Sequence, residues 1–125
     1  MSQNIPGHME SFVAGADLSG GKYKFCQVSA DNTVTLATAS THPVLGVIWD
    51  IPYNAAGAQV GVMLSGTPMV MASDAISAGA KVTATTGGKA VTATAGQEYF
   101  GIAIQAATAD GDLIQILLTR GQVPA

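Results

Sequence analysis

The chain has 125 residues, of which only 10% are charged, with a net charge of −3 and five basic residues spread along its length. That length suffices for one domain with a real core, yet the charge falls well below the roughly 25% of an average domain. The scattered Lys22, Lys24, Lys81, Lys89 and Arg120 exclude the clustered basic footprint that a nucleic-acid backbone requires, and so sparse a surface suits a part that lives packed against partners better than a free monomer.

From Met1 to Ala16, Pro6, Gly7 and Gly15 interrupt the chain and no period is sustained, which predicts an extended N-terminal arm over residues 1–16. Met9, Phe12 and Val13 are its sizeable apolar side chains near the middle. Such a segment either docks on something or stays a loose terminus. No basic-then-apolar leader is present and every apolar run is too short or interrupted to span a bilayer, so folding in a cytoplasm without a membrane is expected.

Asp17-Leu18-Ser19-Gly20-Gly21 is turn chemistry that delivers the chain into a strand from Tyr23 to Val28, and Ala30-Asp31-Asn32 turns it back into Thr33 to Leu36. Thr41-His42-Pro43 leads into a strand from Val44 to Asp50, since proline holds its predecessor extended. A loop, Ile51 to Gly57, feeds the strand Gln59 to Leu64. Pro68 lacks a ladder donor and marks Thr67 to Met71 as an edge strand or as one that begins there. Ser73 to Ala80 is a small-residue loop with room for one helical turn at Asp74-Ala75-Ile76. Strands at Lys81 to Ala84 and Val91 to Thr94 flank the hairpin signal Thr85-Thr86-Gly87-Gly88-Lys89. The closing hairpin, Tyr99 to Leu118 around Asp110-Gly111-Asp112, is apolar on most of both faces, which predicts cover on both sides. Residues 122–125 form a short tail.

Many short strands and no helix-period stretch predict an all-β domain over 17–121, a small barrel or sandwich of short antiparallel strands. Setting Gly57 on Gly111 places Val60, Val62 and Leu64 on Ile114, Ile116 and Leu118, and Gly46-Val47-Ile48 falls near Gly101-Ile102-Ala103. A unit used twice, 17–66 and 76–121, is the expectation from that alignment.

No convergent chemistry emerges. His8 lies in the arm and His42 before a proline, neither with a second ligand at metal spacing. Cys26 reads as a small buried hydrophobe. Asp17, Asp31, Asp74, Asp110 and Asp112 occupy turns, where carboxylates brace backbone. Asp110-Gly111-Asp112 lacks the further ligands of a calcium loop, and Gly87-Gly88-Lys89 is no phosphate loop. Lys89 sits in a hairpin as the modified lysine of a biotinyl or lipoyl carrier domain does, but its neighbours Gly88 and Ala90 are not those of such domains. The expectation is a non-enzyme with no catalytic, cofactor or metal site.

Several segments in order carry a resemblance: Phe12-Val-Ala-Gly-Ala-Asp-Leu-Ser19, Lys22-Tyr-Lys-Phe25, Pro43-Val-Leu-Gly-Val-Ile48 before Ile51-Pro52, and Gly66-Thr-Pro-Met-Val70. Ala78-Gly-Ala-Lys-Val82, Gly101-Ile-Ala-Ile104, Gly111-Asp-Leu-Ile114 and Leu117-Leu118 complete it. From about Phe12 to Gly121 the series resembles the capsid cement, or head decoration, proteins of tailed bacteriophages. The resemblance implies a virion protein that binds the outside of the expanded head, contacts the major capsid protein, often clusters as a trimer and stabilises the head against DNA pressure. On that reading the capsid contacts expected are Met9, Phe12 and Val13 in the arm, and Trp49, Ile51, Pro52 and Tyr53 in the loop. Trp49 has the alternative of plugging one barrel end. Removing residues before Ala14 is expected to spare the fold and to weaken or abolish capsid binding. Another virion part, a tail or spike component, shares the composition and fold class.

Overall fold

The computed structural model describes residues 5–6, 8–38, 44–52, 55–85 and 87–124. Among these there is no helix, and twelve strands follow one another: β1 (Ile5–Pro6), β2 (Met9–Ala14), β3 (Phe25–Ala30), β4 (Thr33–Leu36), β5 (Val44–Asp50), β6 (Gln59–Met63), β7 (Gly66–Thr67), β8 (Met69–Met71), β9 (Lys81–Ala84), β10 (Ala90–Thr92), β11 (Glu98–Ala103) and β12 (Leu113–Gln122). The expected all-β architecture is present as a closed barrel, β2-β4-β3-β5-β6, joined to a five-stranded sheet, β10-β9-β11-β12-β8.

The barrel corrects the reading of the N-terminus. The segment expected as an arm is extended, but Met9–Ala14 is built into the fold: β2 pairs antiparallel with β6 from Met9↔Met63 to Val13↔Gln59, and parallel with β4 at Val13↔Thr33 and Ala14↔Val34. Hydrophobic period failed to reveal it because only Ala14 is fully buried, while Met9, Glu10, Ser11 and Val13 face outward or lie at the rim. Deleting the residues before Ala14 would open the barrel along two strand partners, so the fold would not be spared.

The second sheet repeats the order of the first, β10-β9-β11-β12-β8 for β4-β3-β5-β6-β2, with the same antiparallel senses. The bridge Ala72↔Ala90 is parallel, as β2 and β4 are. Loop hydrogen bonds recur as well: Gly57 N–H to Ala14 O and Gly111 N–H to Ala72 O, both 2.8 Å, and Ile48 N–H to Lys24 O at 2.9 Å against Ala103 N–H to Ala80 O at 2.8 Å. Tyr23 donates to Ile48 O where Gly79 donates to Ala103 O, and both have positive φ, 68° and 86°. The site demands the left-handed backbone that glycine adopts freely and tyrosine does not. That demand is why the strand expected from Tyr23 starts only at Phe25.

The second ring stays open for a local reason. Where β2 meets β4 in the barrel, the segment Tyr23–Phe25 enters between β8 and β10: Met71 N–H donates to Tyr23 O and Phe25 N–H to Gly88 O, both at 2.7 Å. The halves are thus joined by backbone hydrogen bonds as well as by packing.

Two cores follow. Ala14, Leu18, Cys26, Val34, Ile48, Val60 and Val62 fill the barrel. Their counterparts by pairing, Ala72, Ile76, Val82, Ala90, Ala103, Ile114 and Ile116, are all buried in the other core. That second core also takes in Phe25, Ala37, Val44 and Val47, so it extends across the junction of the halves. Phe25 and Phe100 meet there as a tilted pair, centroids 6.3 Å apart at 59°. Arg120 closes the junction, its guanidinium lying 5.6 Å from the Phe100 ring centre and donating to the Val44 and Leu45 carbonyls.

Three further expectations are corrected. Asp74-Ala75-Ile76 makes no helical turn, because Ile76 bridges Ala107 instead. The tail begins after Gln122, which ends β12 opposite Glu98, and Val123 still bonds Gly96 and Gln97. The closing hairpin is covered fully on one face and only in part on the other: Ile114 and Ile116 are buried, and opposite them Gln115 is buried too, but Ile104, Leu113 and Leu117 are 48%, 42% and 43% exposed.

Candidate functional site

The residues expected to carry contact separate by strand geometry. Side chains alternate along β2, so Phe12 turns inward and packs on the barrel core, where Ile51 joins it. Both are half-buried support for the barrel rather than free contact surface. Met9 and Val13 point the other way and are 39% and 36% exposed. Tyr53 lies outside the described residues.

Trp49 is placed by an irregularity in the sheet. The β5–β6 register shifts between Ile48↔Val62 and Asp50↔Gly61, so Trp49 and Asp50 together oppose the single Gly61. A bulge of this kind re-aims side chains, and here both are sent over Gly61. A Cβ on Gly61 would lie 3.2 Å from Trp49 Cδ1 and 3.4 Å from Asp50 Cβ. The glycine therefore leaves the space the indole rests on. Trp49 is half-buried on the outer wall, not a plug in the barrel end.

On the other side of Gly61 stands Ser11, its direct partner on β2. The result is a groove of about 270 Å³ lined by Met9, Glu10, Ser11, Trp49, Asp50, Pro52, Gln59, Val60 and Gly61. It brings Met9, Trp49 and Pro52 together, and leaves Phe12, Val13 and Ile51 outside its lining. Pattern reading missed Glu10, Ser11, Asp50 and Gln59, because nothing in sequence separation signals that β2 crosses beside β6. Glu10 pairs with His8 at 3.1 Å. The Asp50 carboxylate and the Trp49 indole N–H have no bonding partner among the described residues.

The remaining polar groups serve the fold. Thr108, through its N–H and hydroxyl, and the Ala109 N–H hold the Asp112 carboxyl below the usual carboxylate range by hydrogen bonding, which fixes the β11–β12 loop. Asp17 is lowered in the same way by the Ser19 hydroxyl and N–H. Lys89, the lysine of the hairpin, forms an ion pair with Asp110 at 2.9 Å. Burial pushes the Cys26 thiol up to about 12, so it rests as a neutral core group. Among the described residues, no group of three or more His, Cys, Asp or Glu side chains converges.

A family model described as phage cement protein matches residues 26–119. No curated protein matches the chain. Among solved structures, the chain is similar to the head fiber gp8.5 N base of bacteriophage phi29, with a TM-score of 0.64 and 19% identity, over 94% of this chain and 98% of that one. At that identity the likeness is one of fold.

Proposed function

The chain belongs to the phage cement protein family, which makes it a structural, capsid-associated component of a phage virion, and we propose that it acts there as a clamp on the outer surface of the expanded head. The family match over residues 26–119 carries this reading. Its direct partner is the major capsid protein, and its role is mechanical rather than catalytic. A ligand that binds the expanded lattice and not its precursor stabilises the expanded state by its differential affinity. Repetition over many sites turns a modest affinity per copy into a large total.

The contact is made by the outer wall of the barrel, where Met9, Val13, Trp49 and Pro52 reach solvent. Phe12 and Ile51 act from beneath by holding β2 and the end of β5 against the core. Copies gather as a homotrimer through the other half. On its outer face Met69 and Met71 stand opposite Gln115 and Leu113, with Leu117 and Ile104 beside them. None of these six side chains carries charge, so copies of a chain of net charge −3 meet there without like-charge repulsion. The matching strand orders of the barrel and the second sheet support a single domain in which one β unit is used twice.

Co-sedimentation with expanded and unexpanded heads lacking the protein tests the reading. Saturable binding to expanded heads alone is the expected result. A well-folded protein that binds neither form would move the assignment to another part of the virion.

A further inference from the structure

The two halves carry the same wall in different states. Following the ladder from Ile48↔Val62 and Ala103↔Ile116, Ile104 and Gln105 stand where Trp49 and Asp50 stand, and Gln115 stands where Gly61 stands. In the second half that wall is self-satisfied. The Gln115 amide donates to the Thr67 hydroxyl at 3.0 Å, and its N–H donates to Gln105 Oε1 at 3.0 Å. In the first half Gly61 leaves the same position open, and the Asp50 carboxylate and Trp49 N–H beside it are unpaired among the described residues. The fold can close this wall, and in one half it does not.

We propose that the groove over Gly61 is a receptor for a cationic side chain, an arginine or lysine presented by the partner protein. The charge of the lining selects the occupant. Among the described residues Asp50 and Glu10 are the groove's only ionisable lining residues and both are acidic. Glu10 stands on the Phe12 side of β2 and holds His8 at 3.1 Å, so Asp50 beside Gly61 supplies most of the charge that repels an anion and attracts a cation. The indole of Trp49 supplies the π face that a guanidinium or ammonium prefers, with Ser11 and Gln59 as polar rim. A planar guanidinium matches this set best, since it can stack on the ring and fork to a carboxylate at once. This deepens the capsid-clamp reading and rests on it for the identity of the partner, though not for the chemistry of the groove.

The test has two arms. In the first, the wild type, E10Q/D50N and W49L are titrated onto expanded heads lacking the protein at several salt concentrations. The expected result is about tenfold weaker binding for each variant, and a shallower salt dependence for the double variant, with unchanged far-UV circular dichroism. In the second, the capped peptide acetyl-Gly-Arg-Gly-amide is titrated into the full chain, followed by the fluorescence of Trp49, its single tryptophan. A saturable, salt-sensitive change that E10Q/D50N abolishes is expected. Wild type that binds heads, with variants bound within twofold and no peptide response, overturns the groove and leaves the clamp standing. A peptide response without head binding keeps the groove and removes the clamp. A fluorescence response to a neutral oligosaccharide such as chitotriose, with none to the peptide, overturns the cationic assignment in favour of a glycan.

Discussion

Replacing Phe25 by alanine puts the junction of the two halves to its hardest test. Phe25 is 0% exposed, starts β3 opposite Val47, and lies in the core that spans both halves. Truncating a fully buried phenylalanine costs about 3–5 kcal/mol, from lost transfer energy and the cavity left behind. The Phe100 ring 6.3 Å away would lose its tilted partner, an edge contact worth about 0.5–1.5 kcal/mol within that total. Backbone hydrogen bonds to Gly88 and Ala37 tie this strand start in place, so the site can collapse little and the upper part of the range applies. Against a stability on the order of 10 kcal/mol, a loss of about 4–5 kcal/mol lowers the melting temperature by about 12–25 °C. Urea unfolding should be followed by Trp49 fluorescence, which reports the barrel, and by far-UV circular dichroism, which reports both halves. The two curves should coincide in the wild type and move together in Phe25→Ala, because the shared core makes the halves one cooperative unit. Separate midpoints in the wild type, or a loss under about 1.5 kcal/mol in the variant, would refute the shared-core argument.

Two other expectations concern single side chains. Cys26 is buried with its folded pKa raised to about 12 from 9.0, so its neutral form is the one the fold holds. Stability from this thiol is fully present below pH 9 and falls above it by about 1.4 kcal/mol per pH unit, a slope that Cys26→Ala should remove in urea unfolding at pH 8 to 10.5. A thiol reagent at pH 8 should accordingly modify the unfolded chain and spare the native one. Arg120→Met keeps the aliphatic stem over the junction but deletes the bonds to the Val44 and Leu45 carbonyls and the cation over Phe100. A loss of about 1–2 kcal/mol is expected in the same assay, and a neutral outcome would show that solvent replaces those bonds.

How much of this was legible in the chain follows from the range of the interactions. Thr33–Leu36, Val44–Asp50 and Lys81–Ala84 were readable to the residue, because β-branched runs between turn residues carry their own signal. Order of segments carried the family resemblance for the same reason. The sequence by itself therefore determined the all-β class, most strands and the kinship. Only the tertiary structure decided that Met9–Ala14 is a barrel strand, since a strand with one fully buried side chain shows no period and is recognised by its partners on β4 and β6. It also decided that Phe12 and Ile51 support the wall while Trp49 stands on it, because a bulge opposite Gly61 sets the direction of the indole and no alternation rule foresees a bulge. The groove has the same origin: Glu10, Asp50 and Gln59 are far apart in the chain and share a surface only through strand pairing, an arrangement that local patterns do not encode.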